Sequence, residues 1–156
     1  MYDNKKKPPN FILEEYFNGK VTAVGQFKNY IIKNNIEYLQ ADFFGSFKKN
    51  TVTIKETYKS NIKKTEKRIW SFNKIKENQY VGIEKNVNGL IFAKSELNTF
   101  SMKYKFFIKF KKKFKVSLTV SDKMYLYHNG LLINRSVIKK LGLTIGEIIM
   151  IYEKKY

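Results

Sequence analysis

Residues 102–120, MKYKFFIKFKKKFKVSLTV, decide how the chain is read. Met102, Tyr104, Phe106, Ile108 and Phe110 take alternate positions. Lys103, Lys105 and Lys109 fill the gaps, interrupted by Phe107. Lys111, Lys112 and Lys113 make a connection. Then Phe114, Val116, Leu118 and Val120 alternate with Lys115, Ser117 and Thr119. A helix turning every ~3.6 residues would scatter these lysines over its apolar stripe; a strand, with a side-chain period of two, segregates them. The segment therefore reads as a β-hairpin with one apolar and one polar face.

The same period recurs on both sides. Val21, Ala23, Gly25 and Phe27 alternate with Lys20, Thr22 and Gln26, and Val52, Ile54 and Tyr58 with Thr51, Thr53, Lys55 and Thr57. Arg68, Trp70 and Phe72 share a face, with Ser71 and Asn73 on the other. Met124–His128 and Leu131–Ile133 flank Asn129-Gly130, a dipeptide that favours a two-residue hairpin turn because both residues tolerate positive φ. Gly146–Glu153 reads as the last strand. Helical signals are few. Asn10 is placed to cap a short helix from Phe11 to about Phe17, with Glu14 and Glu15 in its first turns and Gly19 ending it. Arg135–Leu141 reads as one helical turn closed by Gly142. Residues 1–9 read as a disordered basic arm and 10–156 as a single domain. About eight to ten short strands with hairpin-length connections imply an all-β sandwich or an up-and-down barrel. A barrel of about eight strands holds packed side chains or one small ligand.

The 156 residues carry a formal charge of +18, from 31 basic and 13 acidic side chains. Such a field attracts polyanions. Yet only Arg68 and Arg135 are arginine, and Asn and Ile are abundant, a pattern that codon bias in a low-GC genome also produces. Phosphate-gripping surfaces favour the planar arginine fork. With no cysteine, disulfides and thiolate metal sites are excluded, and a single histidine, His128, argues against zinc. No metal or organic cofactor is expected. The N-terminus shows no secretory signal or lipobox, and no stretch approaches the ~18 apolar residues of a membrane span. A protein that is cytoplasmic, or peripheral to the inner membrane, is the expectation.

A family resemblance joins several of these segments. Its marks are Phe17-Asn18-Gly19 with Val24-Gly25, Gly45-Ser46-Phe47, Glu56 ahead of Arg68-Ile69-Trp70, and Tyr80-Val81-Gly82. Further on come Asp122 with Met124-Tyr125-Leu126, then Leu132-Ile133-Asn134-Arg135, Lys140-Leu141-Gly142 and Gly146-Glu147. In order and spacing these resemble the bacterial domain-of-unknown-function family three-eight-three-three, over roughly residues 12–154. The resemblance implies an antiparallel, lipocalin-like (calycin-type) barrel with a short N-terminal helix. Many family members are envelope lipoproteins, and the family has no established activity. The chain departs from the pattern at Lys123, where the family usually has Trp, and at Leu97, where it often has Gly.

Glu56 has the parity of Val52, Ile54 and Tyr58, and Arg68 that of Trp70 and Phe72, so both charges point inward with the apolar faces. Buried charges are paired or bind something charged. Glu56 and Arg68 either satisfy each other, with Trp70 alongside, or Arg68 or Arg135 holds the carboxylate or phosphate of an amphiphile; a register slip of one residue would turn both outward. Asp122 and Arg135 form a second candidate pair on the two arms of the Asn129-Gly130 hairpin. With Tyr58, Trp70 and Tyr125 these make the candidate ligand site for a small hydrophobic or amphipathic molecule. The alternative is polyanion binding, to an anionic membrane surface or less readily to nucleic acid. It would use a lysine face of Lys103, Lys105, Phe107, Lys109, Lys111, Lys112 and Lys113, on which Phe107 is expected to be exposed. No nucleophile, acid–base pair or phosphate loop is marked, so no reaction is read from the residues.

Overall fold

The structure is a computed structural model that describes residues 6–33, 35–110 and 113–156, with Phe110 described by its backbone alone. A four-residue helix, α1 (Leu13–Tyr16), precedes ten strands: β1 (Gly19–Asn29), β2 (Ile36–Lys48), β3 (Thr51–Ser60), β4 (Glu66–Lys76), β5 (Gln79–Ile83), β6 (Val87–Glu96), β7 (Thr99–Phe110), β8 (Phe114–Leu126), β9 (Leu132–Lys140) and β10 (Leu143–Lys155). Every strand pairs antiparallel with its sequence neighbours, and β10 pairs with β1, so the sheet closes. Closure leaves free edges only where a strand outruns its neighbour, as the first half of β4 outruns β5.

The deciding hairpin is β7–β8, with Phe106 opposite Leu118 and Ile108 opposite Val116. Its apolar parity faces inward: Phe100, Leu118, Val120, Met124 and Leu126 are buried. Lys111 and Lys112 lie outside the described residues. Phe107 is half-buried rather than exposed: its N–H reaches the Asn86 carbonyl at 2.8 Å, and the Lys115 ammonium lies 5.8 Å from the centre of its ring.

Three local expectations are corrected. Residues 135–140 belong to β9, not to a helical turn. Leu132, Asn134 and Ser136 are buried while Arg135 is exposed, an alternation that β8 and β10 lock from both sides. Leu141 and Gly142, with φ of 50° and 80°, then form a two-residue turn of the kind that matches strand twist. Asn129-Gly130 is not a two-residue turn. β8 ends at Leu126, and a loop opens between the paired Leu126 and Leu132. Within it Gly130 has φ 79° and its N–H reaches the Tyr127 carbonyl at 3.0 Å, while the Tyr127 N–H reaches Leu131 at 2.9 Å. This is a tight turn followed by a glycine bulge. Finally, α1 starts later than expected and lacks a side-chain cap, because the Phe11 N–H is spent on the Leu97 carbonyl at 2.8 Å, holding residues 10–12 across the barrel instead of in a helix. Leu97 adopts φ 53°, a conformation that glycine takes without strain.

Up-and-down order puts alternate turns at opposite ends. One end is closed by the segment Phe11–Phe17, where Phe11, Leu13, Tyr16 and Phe17 are buried. The Tyr16 hydroxyl spans Gly130 and Tyr152 carbonyls at 3.1 and 3.3 Å, and the Lys74 ammonium and Tyr80 hydroxyl both donate to Glu14. Gly45 makes this fit possible: a Cβ there would sit 1.8 Å from the Phe17 carbonyl oxygen. The other end is open.

Candidate functional site

The barrel encloses a cavity of about 650 Å³ that runs from Leu13 and Phe17 on the floor to Phe107, Ile108 and Lys109 at the mouth. Eight strands give an interior that side chains just fill, and diameter grows with strand number, so ten strands leave room. Aromatic and aliphatic side chains cover most of the wall, among them Phe43, Trp70, Phe72, Phe100, Phe106 and Met150.

Two polar clusters interrupt it. In the first, register places Glu56 directly opposite Arg68. Glu56 accepts a hydrogen bond from the Trp70 indole N–H at 2.7 Å and lies 3.8 Å from the Arg68 guanidinium, which also grips Glu66 at 2.6 Å. The guanidinium is stacked between Tyr58 and Phe106, at 4.9 and 5.2 Å from their ring centres. Burial pushes the Glu56 carboxyl above its usual range, and Arg68 and the Trp70 hydrogen bond only partly offset this. In the second cluster, Asp122 accepts hydrogen bonds from Ser136 and, at 2.9 Å, from the Tyr104 hydroxyl, while the Asn134 amide donates to Ser136 at 3.1 Å. Burial raises the Asp122 carboxyl too, despite these donors. Arg68 Nε and Asn134 Oδ1 are buried without a hydrogen-bond partner among the described residues. The two clusters therefore hold one unspent donor and one unspent acceptor, and unmade hydrogen bonds of buried groups are costly.

A raised folded-state pKa means that the folded protein holds its proton more tightly than the unfolded chain. The Asp122 contribution is then fully present below ~4 and is lost as pH rises through the higher folded value. Asp122→Asn removes this loss. Urea unfolding of variant and wild type between pH ~4 and ~8 should show the stability difference moving in the variant's favour as pH rises. A difference independent of pH would show that Asp122 ionises as freely inside the barrel as in water.

Of the expected site residues, Glu56, Tyr58, Arg68, Trp70 and Asp122 line the cavity. Tyr125 and Arg135 do not. They sit at outward parity and help line an external groove of about 610 Å³ with Lys94, Lys103 and Lys123. Asp122 and Arg135 therefore do not pair; Asp122 faces Ser136 across β8–β9, and Arg135 binds Glu147 at 2.8 Å on the outer wall. Lys103, Lys105 and Lys109 are exposed at outward parity, as the lysine face requires. Tyr104, Asn134, Ser136 and Tyr152 were missed. The first has the inward parity of Phe106; Asn134 and Ser136 share the parity of Leu132, a signal hidden by reading residues 135–141 as helical.

A plugged, closed antiparallel barrel with an open mouth defines a lipocalin-like protein. Its fold matches the S-type phycobiliprotein lyase CPES from Guillardia theta with a TM-score of 0.61, over 92% of each chain. At 9% identity the likeness is one of fold alone. No curated protein matches the chain. The chain belongs to the family described as Protein of unknown function (DUF3833), whose profile matches residues 1–154.

Proposed function

We propose that the barrel is a binding protein for one small hydrophobic or amphipathic molecule, fatty-acid-like or lipid-like, held with its apolar body among the aromatics and its polar end at the buried clusters. The carrying observation is the cavity itself: about 650 Å³, floored by α1 and open opposite. That volume lies within the usual range for ligand sites, ~300–1,000 Å³. Apolar area buried there contributes roughly 25 cal/mol per Å². Arg68 is already neutralised by Glu56 and Glu66, so the polar end of the ligand need not be anionic. An acceptor on the ligand would meet Arg68 Nε and a donor would meet Asn134 Oδ1, roles that hydroxyl, amide and protonated carboxyl groups can fill.

Trp70, the one tryptophan, is buried in this wall and reports occupancy directly. Titration with a conjugated polyene fatty acid should quench Trp70 emission by energy transfer, with probe emission rising in step. Trp70→Phe should abolish the transfer. Native mass spectrometry of the purified protein, before and after incubation with a panel of fatty acids and phospholipids, supplies the independent readout. No transfer, together with no retained mass across the panel, would refute the reading.

A further inference from the structure

The open end of the barrel has a surface that a cavity mouth alone does not require. Its turns carry aliphatic and aromatic side chains turned to solvent: Ile31 and Ile32 between β1 and β2, Ile62 between β3 and β4, Phe114 at the β7–β8 tip, and Leu141 and Leu143 around the β9–β10 turn, all more than half exposed. Leu141 is 95% exposed. At the closed end fewer residues are exposed to this degree among the described ones: Leu97 in the β6–β7 turn, Ile75 beside the β4–β5 turn and Tyr156 after β10.

The β7–β8 hairpin sharpens the contrast. β6 pairs with β7 no further than Phe106, where Val87 faces it, and β9 pairs with β8 only from Thr119 onward. Ile108–Phe110 and Phe114–Val116 therefore pair only with each other and stand out from the rim as a two-stranded ribbon. Exposed Lys109 and Lys115 are on its outer face, and Ile108 and Phe114 on its inner face.

Exposed lysines occur at both ends, Lys48, Lys49 and Lys76 among them at the closed one, but the carboxylates differ between the ends. Lys33, Lys64, Lys85, Lys113, Lys139 and Lys140 are exposed around the open end. The carboxylates near them are spent: Glu37 on Lys63, Glu66 on Arg68, Glu147 on Arg135, and Glu84 on the Asn86 N–H. Glu14, Glu15, Glu77, Glu96 and Glu153 belong to the opposite end. Scattered aliphatics within a lysine ring are what an anionic bilayer accepts, with the side-chain tips entering the acyl boundary and the ammonium groups meeting the headgroups. Nucleic acid fits less well. It is gripped by arginine forks and stacking platforms, and both arginines of this chain are already bound to glutamates.

We propose that the open rim docks on an anionic lipid surface, mouth toward the membrane, through Ile31, Ile32, Ile62, Phe114 and Leu141 and the surrounding lysines. This goes beyond the cavity reading and does not depend on it, since vesicle binding and ligand uptake are measured separately.

The test is co-sedimentation with vesicles of phosphatidylcholine alone or mixed with phosphatidylglycerol. The protein should pellet with the mixed vesicles and stay in solution with the neutral ones. The triple variant Ile31→Ser, Ile62→Ser, Leu141→Ser should bind about tenfold more weakly. All three side chains are solvent-exposed, so an unchanged melting curve verifies the fold. A closed-end control variant, Lys48→Ser, Lys49→Ser, Leu97→Ser, should stay within about twofold of wild type, because it removes two charges and one aliphatic from the face turned away. In addition, Ile62→Trp should shift its emission to the blue on anionic vesicles, whereas Leu97→Trp should not. Equal losses from the rim and closed-end variants, no vesicle binding, or tight RNA binding with vesicles ignored would overturn the proposal.

Discussion

Arg68→Ala should cost the fold about 3–5 kcal/mol at neutral pH and distinctly less at mildly acidic pH. Among the described residues Arg68 is the one cation paired with Glu56, whose other partner is the Trp70 indole. Without the guanidinium, a nearly fully buried carboxylate faces only one donor, and breaking a buried pair leaves its charge uncompensated. Tyr58 and Phe106 lose the cation between them as well. Glu56 can escape by taking up a proton, and its carboxyl is already raised by burial. Removing Arg68 raises it further, so the variant is penalised more as pH climbs above the unfolded value of ~4.3. The double variant Glu56→Gln, Arg68→Ala should recover most of the loss and all of the extra pH dependence. Urea unfolding at two pH values checks both. A loss below ~1 kcal/mol that does not change with pH would mean that solvent entering from the mouth already screens the pair.

The second large effect lies at the floor. Phe11→Ala should destabilise by about 3–5 kcal/mol, the usual cost of deleting a buried phenylalanine. Phe11 is 1% exposed and packs its ring against Tyr16 and Phe100, with centroids 5.6 and 5.4 Å away. In a chain of this size each kcal/mol moves the midpoint by roughly 2–4 °C, so thermal unfolding should drop by about ten degrees. The expected loss is a large part of a typical total of ~5–15 kcal/mol. If the barrel instead melts within two or three degrees of wild type, roughly 1 kcal/mol, the Phe11–Phe17 segment is an accessory to a barrel that closes without it.

Much of this architecture was legible in the chain. Alternation in 102–120, 20–27, 51–58 and 68–73 assigned strands and their inner faces, and Glu56 and Arg68 were placed inward from parity alone. The errors occurred where short-range signals competed. Residues 135–141 looked like a helical turn because Gly142 could end it, yet pairing with β8 and β10 holds residues 135–140 extended. Asn129-Gly130 looked like a complete turn, but the chain uses Gly130 as a bulge whose carbonyl accepts from Tyr16 of α1. Asp122 and Arg135 looked like a pair because both flank one hairpin; the register sets Asp122 against Ser136 and sends Arg135 outside.

The amino-acid order alone determined a wall of strands and the face each one buries, because a side-chain period of two is a local property of extended backbone and needs no knowledge of neighbours. Tertiary structure decided which end is plugged, which carboxyls share a cluster, and that most of the exposed apolar turn residues gather on one rim. Those outcomes depend on cross-strand register and on closure of β10 against β1, which join residues more than a hundred positions apart. No local pattern encodes such a pairing, since shifting one register by a residue exchanges the two faces of a strand without altering its alternation.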